Sequence, residues 1–377
     1  MQPSISPRDL PDFTDDDLSV APVERADTIP SAWYADPRFH AVDRDAIFAR
    51  TWQGVGHLSQ LQNPGDYFLA TVADNPIIVL RDRDGVLRAF YNVCRHRGGP
   101  LAIEREGCVK ALTCKYHGWT YLLDGSLRGV PQWDRVELFD KGDFGLIPVT
   151  VDVWEDFVFV TLADQPAHPL AAVLGGIRER IDPIGLRSKK FVKRMDYEVG
   201  ANWKVYVDNY LEGYHIPHVH PELVKVLDFQ QYDTHLHAHY SYQHSPLAGG
   251  ESVYSADGGE AFYYCVFPNF MLNIAPNRVQ VNLVQPLGAD RCHVTFWYYY
   301  DDPADPAQQI RLEQDVAFSD HVQQEDREIC ELVQRGLSSR AYDRGRFSVL
   351  MESGVYHFQA MIKAGYREWS AGLEARE

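Results

Sequence analysis

The stretch from Cys94 to Trp119 reads CRHRGGPLAIEREGCVKALTCKYHGW. It holds a Cys-x-His pair, Cys94 and His96, and, after seventeen intervening residues, a Cys-x-x-His pair, Cys114 and His117. Two short loops that each offer one thiolate and one imidazole make a four-ligand set. Such a set suits zinc, or a two-iron cluster in which the cysteines hold one iron and the histidines the other. The surroundings favour iron. Gly98, Gly99 and Pro100 follow the first pair and Gly118 follows the second, so backbone comes close and N–H groups can point at cluster sulfides. An ordinary zinc finger would place both histidines after both cysteines, whereas here they alternate.

Working outward, 377 residues give room for two domains and a sizeable core. A net charge of -17 argues against nucleic-acid or anionic-membrane partners, which want a basic face. No apolar run is long enough to span a bilayer. The first thirty residues carry Asp9, Asp12, Asp15, Asp16 and Asp17 and no apolar core, which points away from a secretory signal and to the cytoplasm. Six cysteines are scattered in a way unlike a disulfide framework; two are cluster ligands and the rest read as reduced thiols.

The acidic leader reads as an arm without periodicity, followed from Ser31 by short helical segments punctuated by Pro37. From Gly54 to Ala163, short apolar runs (67–72, 76–80, 87–93, 109–113, 157–162) alternate with turns such as Asn63–Asp66, Asp84-Gly85 and Asp124-Gly125. This pattern predicts a small antiparallel β domain with the cluster loops at hairpin tips. After a linker at 163–169, helical segments, β-rich runs at 261–274, 279–285 and 292–300, and long helices at 307–336 and 349–369 predict an α+β domain, a curved antiparallel sheet wrapped by helices. The expected division is an arm and lead-in over 1–45, a cluster domain over 46–163 and a catalytic domain over 164–377. THLHAHYSYQH (234–244) reads as a solvated loop or strand.

A second constellation lies in NWKVYVDNYLEGYHIPHVHP (202–221), where His215, His218 and His220 follow Asp208 and Glu212. Two imidazoles and a carboxylate are the donors of a facial-triad iron site that leaves positions open. His215 and His220 fall on different faces of a regular helix, but a break at Pro217 could bring them together; His215 and His218 would need no bend. For the carboxylate, Asp326 sits on the apolar face of the long helix, flanked by Val322, Ile329, Cys330 and Val333, while Glu325, Glu328 and Glu331 read as solvated charges. A buried acid needs a partner: a metal, or a buried Arg or His.

Together, CRH…CKYH and NWK…DNYLEGYHIPHVH resemble the catalytic α subunits of Rieske-type non-haem iron oxygenases. SAWYADPRF, PGDYF, YCVFPNFMLNIAP and QQEDREICELVQRGLSSRAYDRGR are similar to the choline monooxygenase and bacterial quaternary-ammonium oxygenase subgroup, without the plastid leader of the plant members. The resemblance implies a helix-grip type catalytic domain, a Rieske [2Fe-2S] cluster on Cys94, His96, Cys114 and His117, and mononuclear Fe(II) on His215, His220 and Asp326. It also implies that Glu212, with Asp208 the second choice, bridges the cluster of one subunit to the iron of its neighbour in a homotrimer. NAD(P)H would serve indirectly, through a separate reductase or ferredoxin. The implied reaction is hydroxylation of a C–H bond next to nitrogen in a small quaternary ammonium compound, with N-demethylation as an outcome; ring hydroxylation of an aromatic substrate is the alternative. Tyr263, Tyr264, Phe267, Phe270, Trp297 and Tyr299 lie on strands expected to line the pocket, and alternation allows about half of them to face it.

Overall fold

The computed structural model describes residues 11, 13–225, 231–247 and 259–374; the rest of the predicted leader lies outside them. Two compact units form, one of Phe48–Ala171, the other of Met1–Ile47 with Ala172–Glu377. Among the described residues no helix is long and apolar enough to cross a membrane.

The first unit is an antiparallel β domain. Its strands are β1 (Gln53–His57), β2 (Asp66–Val72), β3 (Asn75–Arg81), β4 (Leu87–Tyr91), β5 (Glu106–Cys108), β6 (Leu112–Thr113), β7 (Thr120–Tyr121), β8 (Leu127–Gly129), β9 (Pro148–Trp154) and β10 (Phe157–Thr161). They make one sheet in the order β1-β10-β9-β4-β3-β2-β5 and a smaller one, β6-β7-β8. Strand β3 is apolar on both faces. Period-two alternation sends Ile77 and Val79 into one core with Val55, Phe68, Val158 and Val160, and Ile78 and Leu80 into a second with Cys94, Cys114, Trp119 and Tyr121. The second core anchors the cluster cysteines. Only the Cys114 loop is a hairpin tip, between the paired strands β6 and β7. The Cys94 loop instead joins β4 to β5, which do not pair, because β5 adds to the edge of β2.

The second unit has the strands β11 (Lys190–Val199), β12 (Asp233–Leu236), β13 (Tyr240–Pro246), β14 (Glu260–Val266), β15 (Phe270–Ala275), β16 (Arg278–Pro286) and β17 (Cys292–Tyr300). They form a curled antiparallel sheet, β11-β17-β16-β15-β14-β13-β12. The α+β expectation holds. The His-rich stretch is the edge hairpin β12–β13, with His235 stacked on Tyr242 and His237 on Tyr240. The helices are α1 (Asp15–Leu18), α2 (Ala32–Ala35), α3 (Pro37–Val42), α4 (Leu170–Val173, which straddles the boundary between units), α5 (Ile177–Ile181), α6 (Trp203–Tyr210), α7 (Ile216–Val219), α8 (Pro306–Leu337) and α9 (Ser353–Glu374). Pro37 opens α3 at its first turn, with the Asp36 side chain accepting from the Arg38 N–H.

Among the contacts that build the N-terminal segment into this unit, one centres on a buried carboxylate. Asp43 accepts from the Trp203 indole at 2.8 Å, from the Tyr366 hydroxyl and from the Lys204 ammonium, and both ends of the Lys204–Asp43 pair are fully buried. Burial drives the Lys204 pKa down, against the attraction of Asp43. The pair pins the start of α6, the helix that leads into the second metal site. Asp43→Ala strands a buried ammonium and is expected to cost ~3–5 kcal/mol, read as a lower urea midpoint for unfolding; an unchanged midpoint would remove this clamp from the account.

Candidate metal centres and active site

Two turns of one design present the cluster donors. In each, the glycine four residues after the cysteine donates its N–H to the cysteine carbonyl at 3.0 Å (Gly98 to Cys94, Gly118 to Cys114). Both glycines adopt left-handed φ, +72° and +73°, which a side chain would strain. Cys94 and Cys114 are buried; the Tyr121 hydroxyl lies 3.3 Å from the Cys94 sulfur. His96 stacks on Trp119 at 4.8 Å, and its Nδ1 is buried with no protein partner. His117 is exposed beneath the Tyr116 ring.

These residues fit a two-iron cluster. The orphaned Nδ1 of His96 wants a ligand, and a Cβ on Gly99 would meet the Cys114 sulfur at 2.9 Å, so the loop is cut to leave that sulfur clear. Among the described residues only His215, His220 and Asp326 bring three such donor atoms within 4.8 Å of one another.

The second centre forms where α6, α7 and α8 meet. His215 caps the start of α7 and His220 its end, where the backbone leaves the helix at φ -120°, ψ 71°. Pro217 sits in the first turn of α7 and starts the helix; the turn that brings the rings to 5.1 Å lies at His220. His218 is exposed and outside the cluster of donors. Asp326 on α8 accepts from Asn209 at 2.7 Å, and its Oδ1 lies 2.9 Å from His220 Nε2 and 3.6 Å from His215 Nε2. Of its predicted apolar flank, Cys330 is buried but Val333 is exposed.

The outer nitrogens of both rings are held by carboxylates: His215 Nδ1 by Glu212 Oε1 and His220 Nδ1 by Glu325 Oε2, each at 2.7 Å. Holding Nδ1–H in this way leaves each Nε2 lone pair facing inward, the usual second layer of a metal site. The donor set fits a divalent cation with open positions. Glu325 is thus not the solvated charge that helix facing suggested; a glutamate one position off the inner face still reaches a buried ring. Asp208 is placed elsewhere, buried against the Tyr34 hydroxyl (2.6 Å) and Gln359 (3.1 Å), and burial outweighs these bonds to push its pKa up to about 7. Burial also opposes charge on both His215 and Asp326, yet Asp326 and Glu212 take His215 up to about 9, and His215 and His220 take Asp326 down to about 2.

A cavity of about 750 Å³, its open mouth included, leads to this centre. One row of side chains crosses the sheet face that lines it: Tyr263 opposite Asn273, Asn273 opposite Gln280, and Gln280 opposite Tyr298. Of the six aromatic residues expected there, Tyr263 alone lines the cavity; Phe296 does so in place of its neighbours Trp297 and Tyr299 on the other face. Periodicity sets which residues alternate, and the tertiary packing sets the phase.

Three substitutions test the two centres. Gly99→Ala is expected to lower acid-labile sulfide while iron at the second site persists. Asp326→Ala should take total iron from about three to about two per chain with about two sulfides retained. Glu325→Gln should weaken Fe(II) binding about 10–100-fold, measured by anaerobic titration; full affinity in this variant would show that the clamp on His220 is dispensable.

Residues 51–140 match the Rieske [2Fe-2S] domain and residues 186–368 the catalytic domain of ring-hydroxylating α subunits. The chain is 38% identical to the chloroplastic choline monooxygenase of Arabidopsis thaliana over 90% of its own length and 83% of that protein. It is 30% identical to the carnitine monooxygenase oxygenase subunit of Escherichia coli, over 95% and 99% of the two chains. The solved structure of the quaternary ammonium Rieske monooxygenase CntA superposes with a TM-score of 0.85 at 31% identity, covering 95% of this chain and 99% of that one. Naphthalene 1,2-dioxygenase, at 20% identity and a TM-score of 0.73, shares the fold. Two metal motifs in one order, two units of the matching architecture and identity along nearly the whole chain lead to one conclusion: this protein belongs to the Rieske-type non-haem iron oxygenases, as a monooxygenase.

Proposed function

We propose that this chain is the oxygenase component of a system that hydroxylates a C–H bond next to nitrogen in a small quaternary ammonium compound. The observation that carries this reading is the charge and chemistry of the cavity. Its lining includes Tyr206, Tyr210, Tyr232, Tyr263 and Phe296, and its one arginine, Arg278, is already ion-paired with buried Asp315. Aromatic surface beside the carboxylate of Glu212, with no unpaired cation among the described lining residues, suits an alkylated cation. Three of the tyrosine hydroxyls are engaged with side-chain amides, Tyr206 with Gln323, Tyr210 with Asn273 and Tyr232 with Gln243, which fixes their rings. The amides of Asn209, Asn273, Gln280, Asn282 and Gln323 make the cavity too polar for a bare aromatic hydrocarbon, the alternative substrate.

In this reading Cys94, His96, Cys114 and His117 hold the [2Fe-2S] cluster and His215, His220 and Asp326 hold Fe(II). When bound, these centres supply electrons and dioxygen activation for inserting one oxygen atom into C–H, the other leaving as water. The polypeptide orients and excludes. Glu212 keeps His215 in one tautomer, Asn209 steadies Asp326, and the aromatic wall holds the cation. Exposed His117 and the mostly buried, cavity-lining Glu212 are the residues suited to pass electrons between subunits of a homotrimer, fed from NAD(P)H by a separate reductase or ferredoxin in the cytoplasm. The solved relative described as a quaternary ammonium Rieske monooxygenase is reported to use inter-subunit electron transfer, which supports this arrangement. Hydroxylation at an N-methyl group would release formaldehyde and complete an N-demethylation.

With a generic Rieske reductase, choline, carnitine and betaine are expected to raise NADH consumption coupled to product, and benzoate or naphthalene to leave it at background. Stimulation by the aromatics alone would transfer the assignment to ring hydroxylation.

A further inference from the structure

Almost every amide on the cavity wall shows a protein partner. Asn209 donates to Asp326, Asn273 accepts from Tyr210, Gln280 accepts from Ser319 and donates to Asn282. Gln323 differs. It lies on α8 three residues before Asp326, lines the cavity and is 1% exposed. Its Oε1 accepts from the Tyr206 hydroxyl at 2.5 Å, and its Nε2 is buried with no protein acceptor. A buried donor left without an acceptor is costly, and such groups are rare unless a ligand completes them.

We infer that Gln323 is a specificity-determining residue whose Nε2–H donates to an oxygen of the bound substrate. This rests on the quaternary ammonium reading and narrows it to compounds that carry an acceptor oxygen close to the nitrogen. Three residues of α-helix separate Gln323 from Asp326 by roughly 4.5 Å along the axis. An oxygen two carbons from the cationic nitrogen can therefore reach the amide while an N-bonded carbon stays at the metal end. The acceptor is a neutral hydroxyl in preference to a carboxylate, because the one arginine among the described wall residues, Arg278, is matched by Asp315, with the Tyr300 hydroxyl also on that carboxylate, and His215 and His220 are matched by Glu212, Glu325 and Asp326. Tyr206 is the positioning residue: by holding Oε1 it leaves Nε2 as the unpartnered end of the amide.

The test compares choline with n-propyltrimethylammonium, which replaces the hydroxyl by methyl at nearly equal volume. Binding to the anaerobic, iron-loaded enzyme is measured by calorimetry and turnover by kcat/KM. Wild type should favour choline by about 10-fold or more. Gln323→Met, which keeps volume but not the donor, should bring that ratio to within about twofold of one, with iron and sulfide contents unchanged; Tyr206→Phe, which frees the amide to rotate, should reduce it partway. A ratio preserved in Gln323→Met, with both ligands weakened alike, would make Gln323 a packing residue and overturn the inference. Equal affinity of the wild type for both ligands would overturn it too, yet leave the quaternary ammonium function standing. Failure of wild type to bind choline, its propyl analogue, carnitine or betaine would remove that function and the inference together.

Discussion

A negatively charged carboxylate at the mostly buried end of the cavity, Asp326 on α8, is the constraint on which the catalytic unit turns. Such a group is costly unless cations or strong donors surround it. Here Asn209 from α6 and the imidazoles of His215 and His220 from the two ends of α7 all converge on it. Each ring is then fixed from behind by a glutamate, so protein bonds alone orient both imidazoles. Pre-organisation of this kind lets a site keep open coordination positions, because the protein, not the substrate, holds the ligands in place.

The start of α6 must also be immobile for Asn209 and Glu212 to be placed. The buried Lys204–Asp43 pair supplies that fixed point, and it draws residues from well before the β domain into the catalytic unit. The chain thus leaves and returns to one core, with the cluster domain inserted between. In the cluster domain a parallel logic applies at smaller scale. Two matching glycine turns present the donors, and the cysteine ends are rooted in the core under β3 while the His117 end is exposed. Burying the thiols and exposing one imidazole would separate the anchoring of a cluster held by these residues from its contact with the outside.

Three features escaped the sequence for physical reasons. Glu325 was assigned to solvent because helical facing treats a side chain as a point on a cylinder, whereas glutamate reaches about a turn of helix to either side of its Cα. Trp297 and Tyr299 were out of phase, unlike Tyr263, because strand alternation has two equivalent settings and only tertiary packing selects one. Gln323 carried no signal at all: an amide in a helix is ordinary until its neighbours show that one end is left without a partner.

By itself the sequence determined what depends on residue type and short spacing: the two metal motifs, the antiparallel α+β architecture, the acid on α8 and the family. Ligand chemistry is local, so alternating Cys and His separated by one or two residues carry meaning without a fold. Tertiary structure alone decided which histidines converge, that the turn lies at His220 and not at Pro217, which glutamates stand behind the rings, and which wall atom is left without a protein partner. Those are relations between elements far apart in the chain, from Asp43 to Tyr366, and they exist only once burial has forced each polar group to find, or to lack, a partner.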